Sequence, residues 1–368
     1  MRWSKSDLKG WYAMERMDRF NGAMLGCAVG DALGYLIEFM NMKSIQKKYG
    51  PHGLRTVLKL SSNGNKSIIS DDTQLALFTM DGLLWAKEEQ LPLVEGLHRA
   101  YLRWYYTQTE RLPDPMLAPW MKQQPHEKIW GYDIMAETDL WNRRAPGKSC
   151  LIALATGTQF SLERRANTCR SSAVLSRAIP LGLWSAGDPE KAFAIAKEAA
   201  LLTHGSSTAY FTAATLAAMI SLLVAGKEMG AAITGGLRIL QQEDEDNDIL
   251  KAVLQAVDEA VTDRNPVRSM KKIGLGWKAE EALALSIYCI LKTSNVKDAV
   301  LMACNQDGDS DTCGAVCGSM TGALYGPSSI PKSWTRNLEG LNLLQHLTKA
   351  IYDASEQPVT PVLEAVAQ

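Results

Sequence analysis

The sequence predicts an all-α protein, and three observations carry that prediction. Long segments rich in Ala, Leu, Glu and Lys space their apolar residues as amphipathic helices do. Convincing strand patterns are absent. Glycines recur at every fourth position in two places, as on one face of a helix. We expect more than ten helices in one domain from about residue 17 to 355, since no stretch rich in Pro, Gly or Ser marks a linker.

Five segments carry the strongest helical pattern. The predicted helices cover residues 75–87, 189–202, 209–225, 249–261 and 279–291. Long irregular segments lie between other parts of the chain, at residues 43–69, 107–130 and 143–165. Loops of that length inside a domain usually line a site or form a lid.

Two glycine stripes predict two closely packed central helices. The stripes comprise Gly22, Gly26, Gly30 and Gly34, and Gly314, Gly318, Gly322 and Gly326. A glycine inside a helix costs about 0.5–1 kcal/mol relative to alanine, so four in a row indicate close approach of another backbone. Membrane helices dimerise through the same spacing, but charged residues flank both stripes and disfavour that interpretation.

Composition and charge are those of an ordinary globular protein. Of the 368 residues, 46% are hydrophobic and 21% are charged. A chain of this length can bury roughly 75% of its unfolded surface. The 39 basic and 40 acidic residues give a net charge of −1, so we expect neither a nucleic-acid partner nor a membrane partner.

The cysteines and the N-terminus indicate a cytoplasmic protein. The seven cysteines are odd in number and mostly have small apolar neighbours, as buried thiols do. The first 20 residues mix charges with aromatic residues and show no signal peptide. Residues 205–226 are uncharged and long enough to span a bilayer, but they carry several Ser and Thr residues, so we interpret them as a buried core helix.

Two short acidic motifs stand directly before predicted helices. Their hydroxyl and carboxylate residues are Ser70, Asp71 and Asp72, and Asp309, Asp311 and Thr312. Oxygen donors alone suit Mg²⁺ or Mn²⁺ and not zinc, and two clusters suggest two ions. Helix N-capping is the alternative, since Asp, Ser and Thr favour that position. Capping accounts for one or two residues in each motif and leaves the other carboxylates unexplained.

Two isolated polar residues are further candidates, each with a structural alternative. Glu38 lies among apolar neighbours after the first glycine stripe, a setting that can raise a pKa or place a metal ligand. Its alternative is an exposed glutamate at a helix end. His204 stands where one helical run ends and another begins, a position where histidine is usually structural.

Taken in order, these motifs resemble the ADP-ribosylglycohydrolase family over nearly the whole chain. The matching segments are FNGAMLG at 20–26, GDALG at 30–34, SDDT at 70–73, TH at 203–204, GLGWKAEEALA at 274–284 and GDSDT at 308–312. The resemblance implies a compact orthogonal helical bundle with two Mg²⁺ ions, or Mn²⁺, at the floor of an ADP-ribose cleft. We expect this domain at residues 20–355, after an N-terminal extension (1–19) and before a C-terminal tail (356–368).

The resemblance also implies roles for single residues. The implied metal ligands are Ser70, Asp71, Asp72, Asp309, Asp311 and Thr312. The implied contacts to the bound ligand are Asp31, Glu38, Arg177, His204, Gly308 and Ser310. The chain departs from the family where Asp307 replaces a glycine and adds a nearby carboxylate. It departs further where Ser171, Ser172 and Ala173 replace a glycine-rich loop, which restricts the backbone there.

The implied reaction is hydrolysis of the bond between ADP-ribose and a protein side chain, most simply an arginine, through an oxocarbenium-like transition state. Glu38, Asp71 or Asp311 would accept the proton of the attacking water. Two alternatives stay open: a metal-binding relative without catalysis, and an immunity protein that reverses or blocks an ADP-ribosylating toxin.

Residues 1–19 precede the first motif and form a candidate docking arm for such a toxin. They hold the aromatic residues Trp3, Trp11 and Tyr12 together with eight charged residues. Aromatic anchors within a charged rim are typical of binding hot spots. The alternative is a frayed terminus, or a helix that packs on its own domain.

Overall fold

The computed structural model describes residues 5–110, 118–243, 248–262 and 264–356, with side chains described from residue 16 onward. These residues form seventeen α-helices and contain no β-strand, only three isolated bridges, which confirms the all-α prediction. The helices are α1 Lys5–Gly34, α2 Met42–Tyr49, α3 Asp71–Glu88, α4 Leu93–Thr109, α5 Pro125–Trp130, α6 Lys148–Leu154, α7 Ala178–Trp184, α8 Pro189–Leu201, α9 Ser207–Val224, α10 Met229–Glu243, α11 Asp248–Ala260, α12 Pro266–Ile273, α13 Ala279–Lys292, α14 Val296–Cys304, α15 Ser310–Tyr325, α16 Lys332–Thr335 and α17 Leu341–Glu356.

All five helices predicted from periodicity are present, as α3, α8, α9, α11 and α13. The largest difference is at the start of α3, which begins at Asp71, four residues earlier than predicted. Ser70 explains it, because its hydroxyl accepts a hydrogen bond from the amide of Asp72 and so caps the helix there.

The three segments predicted to be irregular each contain a short helix: α2, α5 and α6. The side chain of Asn41 caps α2, accepting a hydrogen bond from the amide of Ser44 at 2.9 Å. Helix α5 begins at Pro125 with a capping box formed by Gln124 and Glu127. Helices of six to eight residues complete too few turns to show an apolar period, so only such local signals mark them.

Helices α1 and α15 pack along the two glycine stripes, which confirms the predicted close approach. A Cβ atom added to Gly26 would lie 2.0 Å from the carbonyl oxygen of Gly318, and one on Gly30 would lie 2.0 Å from that of Gly314. No real Cβ tolerates such a distance. The two backbones therefore touch directly, and only glycine permits this.

The end of this contact is where the site forms. A Cβ atom on Gly34, the last residue of α1, would lie 2.3 Å from the amide nitrogen of Asp311 at the start of α15. One turn earlier on α1, Asp31 accepts hydrogen bonds from the amides of Ser70 and Thr73 at the start of α3. The N-termini of α3 and α15 thus meet at the C-terminal end of α1.

Two helical stretches, Arg16–Ile37 and Ser207–Val224, are long and apolar enough to cross a bilayer. In each, 83% of the most apolar window is buried inside the protein, as expected of core helices. On α9, Leu216, Met219 and Ile220 expose none of their surface. The interpretation of residues 205–226 as a buried core helix is confirmed.

The N-terminal extension continues directly into the fold, since α1 begins at Lys5 and runs through the first glycine stripe. The guanidinium of Arg16 donates to the carbonyl of Ala186 at 3.0 Å and pairs with Glu356 at 2.6 Å. Trp3, Trp11 and Tyr12 lie outside the residues whose side chains are described. The docking arm therefore stays a prediction, and so does the tail, of which residues 357–368 also lie outside the described part.

Candidate active site and metal centre

The two acidic motifs, far apart in the sequence, meet where α1, α3 and α15 come together. Carboxylate oxygens of Glu38, Asp309 and Asp311 all lie within 4.8 Å of one another. Asp71 and Asp72 on the first turn of α3 interact electrostatically with Glu38 and Asp309 across this group. Each of these five residues exposes 9% or less of its surface. We call the five together the acidic centre.

Both motifs also cap helices, so the capping interpretation accounts for one or two residues in each. Ser70 Oγ accepts a hydrogen bond from the amide of Asp72 at 3.1 Å, and Asp309 Oδ1 accepts one from the amide of Thr312 at 3.2 Å. Asp311 Oδ1 also accepts from the Thr312 amide, at 2.9 Å, whereas Asp71 and Asp72 accept from the Gly147 amide and the Ser176 hydroxyl, which lie outside α3. The carboxylates of Asp71 and Asp72 require a different explanation.

Asp31, near the C-terminal end of α1, fixes the position of the first turn of α3. It exposes none of its surface, and its oxygens accept hydrogen bonds from the amide of Ser70 and from the amide and hydroxyl of Thr73. The predicted contact of Asp31 with a bound ligand stays a prediction, because in this structure its oxygens contact the first turn of α3. Asp31 acts on the site by positioning the residues above it.

The donor set of the acidic centre fits a hard divalent cation. Oδ2 of Asp72 and Oε2 of Glu38 are buried and have no hydrogen-bond partner among the described residues, although buried polar atoms normally have one. Every side chain of the centre offers oxygen, as Mg²⁺ and Mn²⁺ prefer. The cluster is therefore suited to bind metal.

The carboxylates of the acidic centre oppose one another's ionisation. Burial raises the pKa of Glu38 to about 8, and the charges of Asp309 and Asp72 add to this shift. Burial raises the pKa of Asp72 to about 8 as well, again with repulsion from neighbouring carboxylates. For Asp71 and Asp311, burial and then nearby carboxylates raise the pKa well above the usual range. A divalent cation supplies the charge that allows these groups to ionise together.

Asp71 connects the acidic centre to the segment 143–165. Its amide donates to the carbonyl of Arg144 at 3.1 Å, and its Oδ2 accepts a hydrogen bond from the amide of Gly147 at 3.0 Å. This contact agrees with the expectation that a long connecting segment lines the site.

A buried hydrogen-bond network of Arg177, Thr203 and His204 contacts this segment through Ser149. Arg177 donates to the Thr203 hydroxyl and to Nδ1 of His204, the latter at 3.1 Å. Because a guanidinium only donates, Nδ1 accepts and the ring proton sits on Nε2. Burial, and then the charge of Arg177, lower the pKa of His204 well below its ordinary value, so the ring is neutral.

The neutral histidine holds two half-buried serines. Its Nε2 lies 2.8 Å from Ser171 Oγ and 2.9 Å from Ser149 Oγ. Arg177 and His204, predicted as ligand contacts, expose 1% and 0% of their surface. Arg177 and His204 are therefore buried, whereas Ser149 and Ser171 are the partly exposed residues of this network. The sequence analysis did not predict Ser149 as a site residue, although it lies within the segment 143–165 that was expected to line a site.

Gly308 and Ser310 are packing residues rather than open contacts. A Cβ atom on Gly308 would lie 1.8 Å from the carbonyl oxygen of Leu275, and Ser310 is fully buried with its hydroxyl bonded to the Gly308 carbonyl at 3.1 Å. Asp307 does not add a carboxylate to the acidic centre. It accepts a hydrogen bond from the amide of Met42 and pairs with Lys271 at 2.8 Å, and neither partner belongs to the acidic centre.

An aromatic pair stands next to the acidic centre. Phe39, which follows Glu38, stacks on Trp277 with ring centroids 5.9 Å apart and planes inclined by 15°. Phe39 exposes 76% of its surface and Trp277 exposes 38%. The sequence analysis did not single out this pair, although both rings lie within motifs that it quoted or directly beside one. The pair therefore places exposed aromatic surface directly after Glu38 in the chain.

Comparisons with known proteins agree with this arrangement. The sequence model of the family described as ADP-ribosylglycohydrolase matches residues 13–360. The ADP-ribosyl-dinitrogen-reductase glycohydrolase of Rhodospirillum rubrum is 26% identical, covering 88% of this chain and 90% of the relative. The ADP-ribosylarginine hydrolase Tri1 of Pseudomonas putida (strain GB-1) is 22% identical, covering 97% of this chain and 84% of the relative.

A solved structure supports the fold. A chain of an ADP-ribosylglycohydrolase-related protein complex superimposes with a TM-score of 0.65 at 23% identity, covering 93% of this chain and 99% of the other. At that identity the likeness concerns the fold alone. With a family match that spans nearly all of the sequence, the chain belongs to the ADP-ribosylglycohydrolase family.

Proposed function

We propose that this hydrolase uses its acidic centre, with divalent cations bound, to release ADP-ribose from arginine side chains of modified proteins. The observation that carries the proposal is a buried set of five carboxylates in which one oxygen each of Asp72 and Glu38 has no hydrogen-bond partner in the part of the chain that the structure describes. The relative named ADP-ribosylarginine hydrolase supports the arginine linkage.

The proposed cofactor is a pair of Mg²⁺ ions, with Mn²⁺ as the alternative. The residues that would hold them are Ser70, Asp71 and Asp72 at the start of α3, and Asp309, Asp311 and Thr312 at the start of α15. When bound, such ions supply Lewis acidity and orient hydroxyl groups and water. The meeting of the two helix N-termini provides both halves of this ligand set.

Glu38 is the proposed proton acceptor for the water that attacks the ribose anomeric carbon. Its Oε2 is unpartnered, and the residue lies beside the exposed ring of Phe39. Asp71 and Asp311 are the alternatives, but Oδ2 of Asp71 accepts from the Gly147 amide and Oδ1 of Asp311 accepts from the Thr312 amide at 2.9 Å. Glu38 therefore has the freer oxygen for general-base work.

In the proposed step, the water oxygen bonds to the anomeric carbon while the bond from that carbon to the guanidine nitrogen breaks. The water proton passes to Glu38 and from there to the departing guanidine or to solvent. Both products, ADP-ribose and the protein with its unmodified arginine side chain, then leave the site.

The proposed partners are ADP-ribosylated proteins, and the proposed location is the cytoplasm, which the seven free cysteines support. We propose no nucleic-acid or membrane surface, given the net charge of −1. An immunity role, with residues 1–19 docked on an ADP-ribosyltransferase toxin, is a second candidate favoured by the aromatic and charged composition of that segment. A non-catalytic metal-binding relative is the remaining alternative, and the completeness of the acidic centre argues against it.

The test is to incubate the protein with arginine-linked and serine-linked ADP-ribosyl proteins, in Mg²⁺ or in EDTA, and to measure released ADP-ribose. We expect release from the arginine-linked substrate in Mg²⁺ and none in EDTA. The matched control is Asp353→Asn, which removes a carboxylate from a surface pair with Lys349 and should keep full activity. Release from serine alone would overturn the arginine assignment, and equal release in EDTA would overturn the metal requirement.

A further inference from the structure

Two serines on one short turn each donate a hydrogen bond to the acidic centre. Ser172 Oγ donates to Oδ2 of Asp309, and Ser176 Oγ donates to Oδ1 of Asp72 at 2.8 Å. The serines expose 4% and 0% of their surface. Asp309 precedes α15 and Asp72 belongs to α3, so the turn connects the two halves of the centre.

Backbone hydrogen bonds fix the position of the turn that contains these serines. The amide of Ser172 donates to the carbonyl of Trp277 at 3.2 Å, and the amide of Ala279 donates to the carbonyl of Arg170 at 2.9 Å. At the other end, Arg177 directly follows Ser176 and is anchored in the buried network with His204. A fixed turn can impose its geometry on the carboxylates that it contacts.

Ser176 determines which oxygen of Asp72 remains available. The hydroxyl donates to Oδ1, whereas Oδ2 is buried and accepts no hydrogen bond from residues 5–110, 118–243, 248–262 or 264–356. A hydrogen bond to one oxygen also limits rotation of the carboxyl group. Oδ2 is thereby kept as the oxygen that a cation can take.

Ser172 restrains Asp309 in the same way from the opposite side. Asp309 already accepts a hydrogen bond at Oδ1 from the amide of Thr312, and the Ser172 hydroxyl reaches Oδ2. The Trp277 carbonyl oxygen also lies 3.3 Å from that hydroxyl, but the carboxylate is the nearer and stronger acceptor. With both oxygens restrained, the carboxyl plane of Asp309 is set.

We infer that Ser172 and Ser176 are positioning residues of the metal centre, which hold Asp309 and Asp72 in the orientation that binds the cations. The inference rests on the proposed function, because it needs a cation at the acidic centre. Hydrogen bonds of this kind to metal ligands are generally worth 10–100-fold in metal affinity. Ser172 is one of the three residues that replace the glycine-rich loop, and Ser176 follows four residues later.

The experiment is calorimetric titration of metal-free protein with Mn²⁺, for wild type, Ser172→Ala, Ser176→Ala and Ser172→Thr. Ser319→Ala is the matched control, since Ser319 is fully buried but donates to the backbone carbonyl of Val316 at 2.8 Å. We expect each alanine variant at the turn to bind Mn²⁺ roughly 10–100-fold more weakly. Ser172→Thr keeps the hydroxyl and should bind within about threefold of wild type, as should Ser319→Ala.

A second readout separates positioning from general damage to the structure. If the serines act through the metal, raising the Mn²⁺ concentration should restore turnover of the alanine variants, and circular dichroism should show intact helices. If Ser176→Ala does not fold, Ser172→Ala carries the same prediction alone. Wild-type affinity in a folded alanine variant overturns the inference, and so does a wild type that binds no Mn²⁺. A wild type that binds Mn²⁺ but releases no ADP-ribose contradicts only the proposed function.

Discussion

Burial and neighbouring negative charges make the ionised form of each carboxylate in the acidic centre unfavourable. A divalent cation beside these groups would make their ionisation favourable. Asp311 illustrates the unfavourable ionisation, because burial and then the charges of Asp309 and Glu38 raise its pKa well above the usual range. The carboxylates stay close together despite this repulsion because Asp31 fixes the start of α3 and because they lie at two helix N-termini, which favour negative charge. Such strained polar groups are typical of functional sites.

Replacing Asp311 by asparagine should separate activity from stability. We expect Asp311→Asn to lower the rate of ADP-ribose release by about 100-fold or more, because a ligand to the cations is lost. In EDTA, the same change should raise the melting temperature by roughly 1 °C, as removing ~1 kcal/mol of repulsion would in a domain of this size. Calorimetry in EDTA and an assay in Mg²⁺ measure the two effects. Unchanged turnover would contradict the assignment of Asp311.

The raised pKa values predict how the stability of metal-free protein depends on pH. Glu38 and Asp72 have a pKa of about 8 in the folded chain, against ordinary values of 4.5 and 3.8. Between pH 7 and 8 the folded chain therefore holds protons that the unfolded chain has already lost. Stability must fall as pH rises through this window.

Urea unfolding at pH 7 and pH 8 checks this prediction. In EDTA we expect the free energy of unfolding to decrease from pH 7 to pH 8, and in saturating Mg²⁺ we expect that decrease to be largely abolished. Glu38→Gln should reduce the slope in EDTA, because it removes one of the two titrating groups. The same free energy of unfolding at pH 7 and pH 8 in EDTA would show that these carboxylates are already ionised in the folded chain.

The residues of the site could be predicted from the sequence only in part. The acidic motifs were visible because several carboxylates within a few positions exceed what capping needs. Ser149 and Ser176 were not singled out, because a lone serine carries no local signal and its role depends on a partner that is distant in the chain. Asp307 was assigned to the wrong place for the same reason, since the salt bridge to Lys271 is not visible in the motif.

The contact between helices α1 and α15 tolerates glycine only, because the two backbones touch directly. Gly26→Ala should destabilise the protein by about 3 kcal/mol, since the new Cβ would lie 2.0 Å from the Gly318 carbonyl oxygen. The matched control is Gly230→Ala on α10, where nothing lies within 4 Å and alanine should stabilise by about 0.5–1 kcal/mol. Urea unfolding measures both. Equal effects would mean that the stripe is not a packing contact.

Helices α3, α4 and α5 are joined by a buried ion network. Arg103 exposes none of its surface and donates to Asp81 at 3.3 Å and to Glu127 at 3.0 Å. Arg103→Met should cost about 3–5 kcal/mol, because it leaves two buried carboxylates without their cation. Arg99→Met, which breaks a surface pair with Glu95, should cost about 1 kcal/mol or less. Similar losses in the two variants, measured by urea unfolding, would contradict the network's role.

The long helices were predictable and the short ones were not. Segments such as α9 and α13 show several turns of apolar period, whereas α5 has six residues and is recognisable only by Pro125 and its capping box. The glycine stripes predicted a contact between two helices but not that its end would bring Gly34 against Asp311. That juxtaposition depends on the tertiary crossing of the helices.

For the whole molecule, removal of residues 2–15 tests the docking arm. Arg16 contacts the domain and is therefore kept. We expect the truncated protein to keep ADP-ribose release within about twofold and to bind an ADP-ribosyltransferase toxin at least tenfold more weakly, if aromatic anchors contribute ~2 kcal/mol each. Binding is measured by surface plasmon resonance. Loss of turnover would show that the segment belongs to the enzyme core.

The fold class and the family were accessible from the sequence because ordered motifs cover almost the entire chain. What the sequence could not show is that the acidic motifs, more than 200 residues apart, converge into one buried centre. That convergence is created by the α1–α15 contact and by the hydrogen bonds of Asp31 to α3. It turns two helix caps into a candidate metal site.

Anomalous diffraction from a crystal grown with Mn²⁺ tests the central claim most directly. The acidic centre should show two Mn²⁺ peaks roughly 3.5–4 Å apart, the usual spacing in two-metal sites. We expect one oxygen each of Asp72 and Glu38, unpartnered in the metal-free chain, to face these peaks. Peaks elsewhere in the molecule, with none among these carboxylates, would contradict the account.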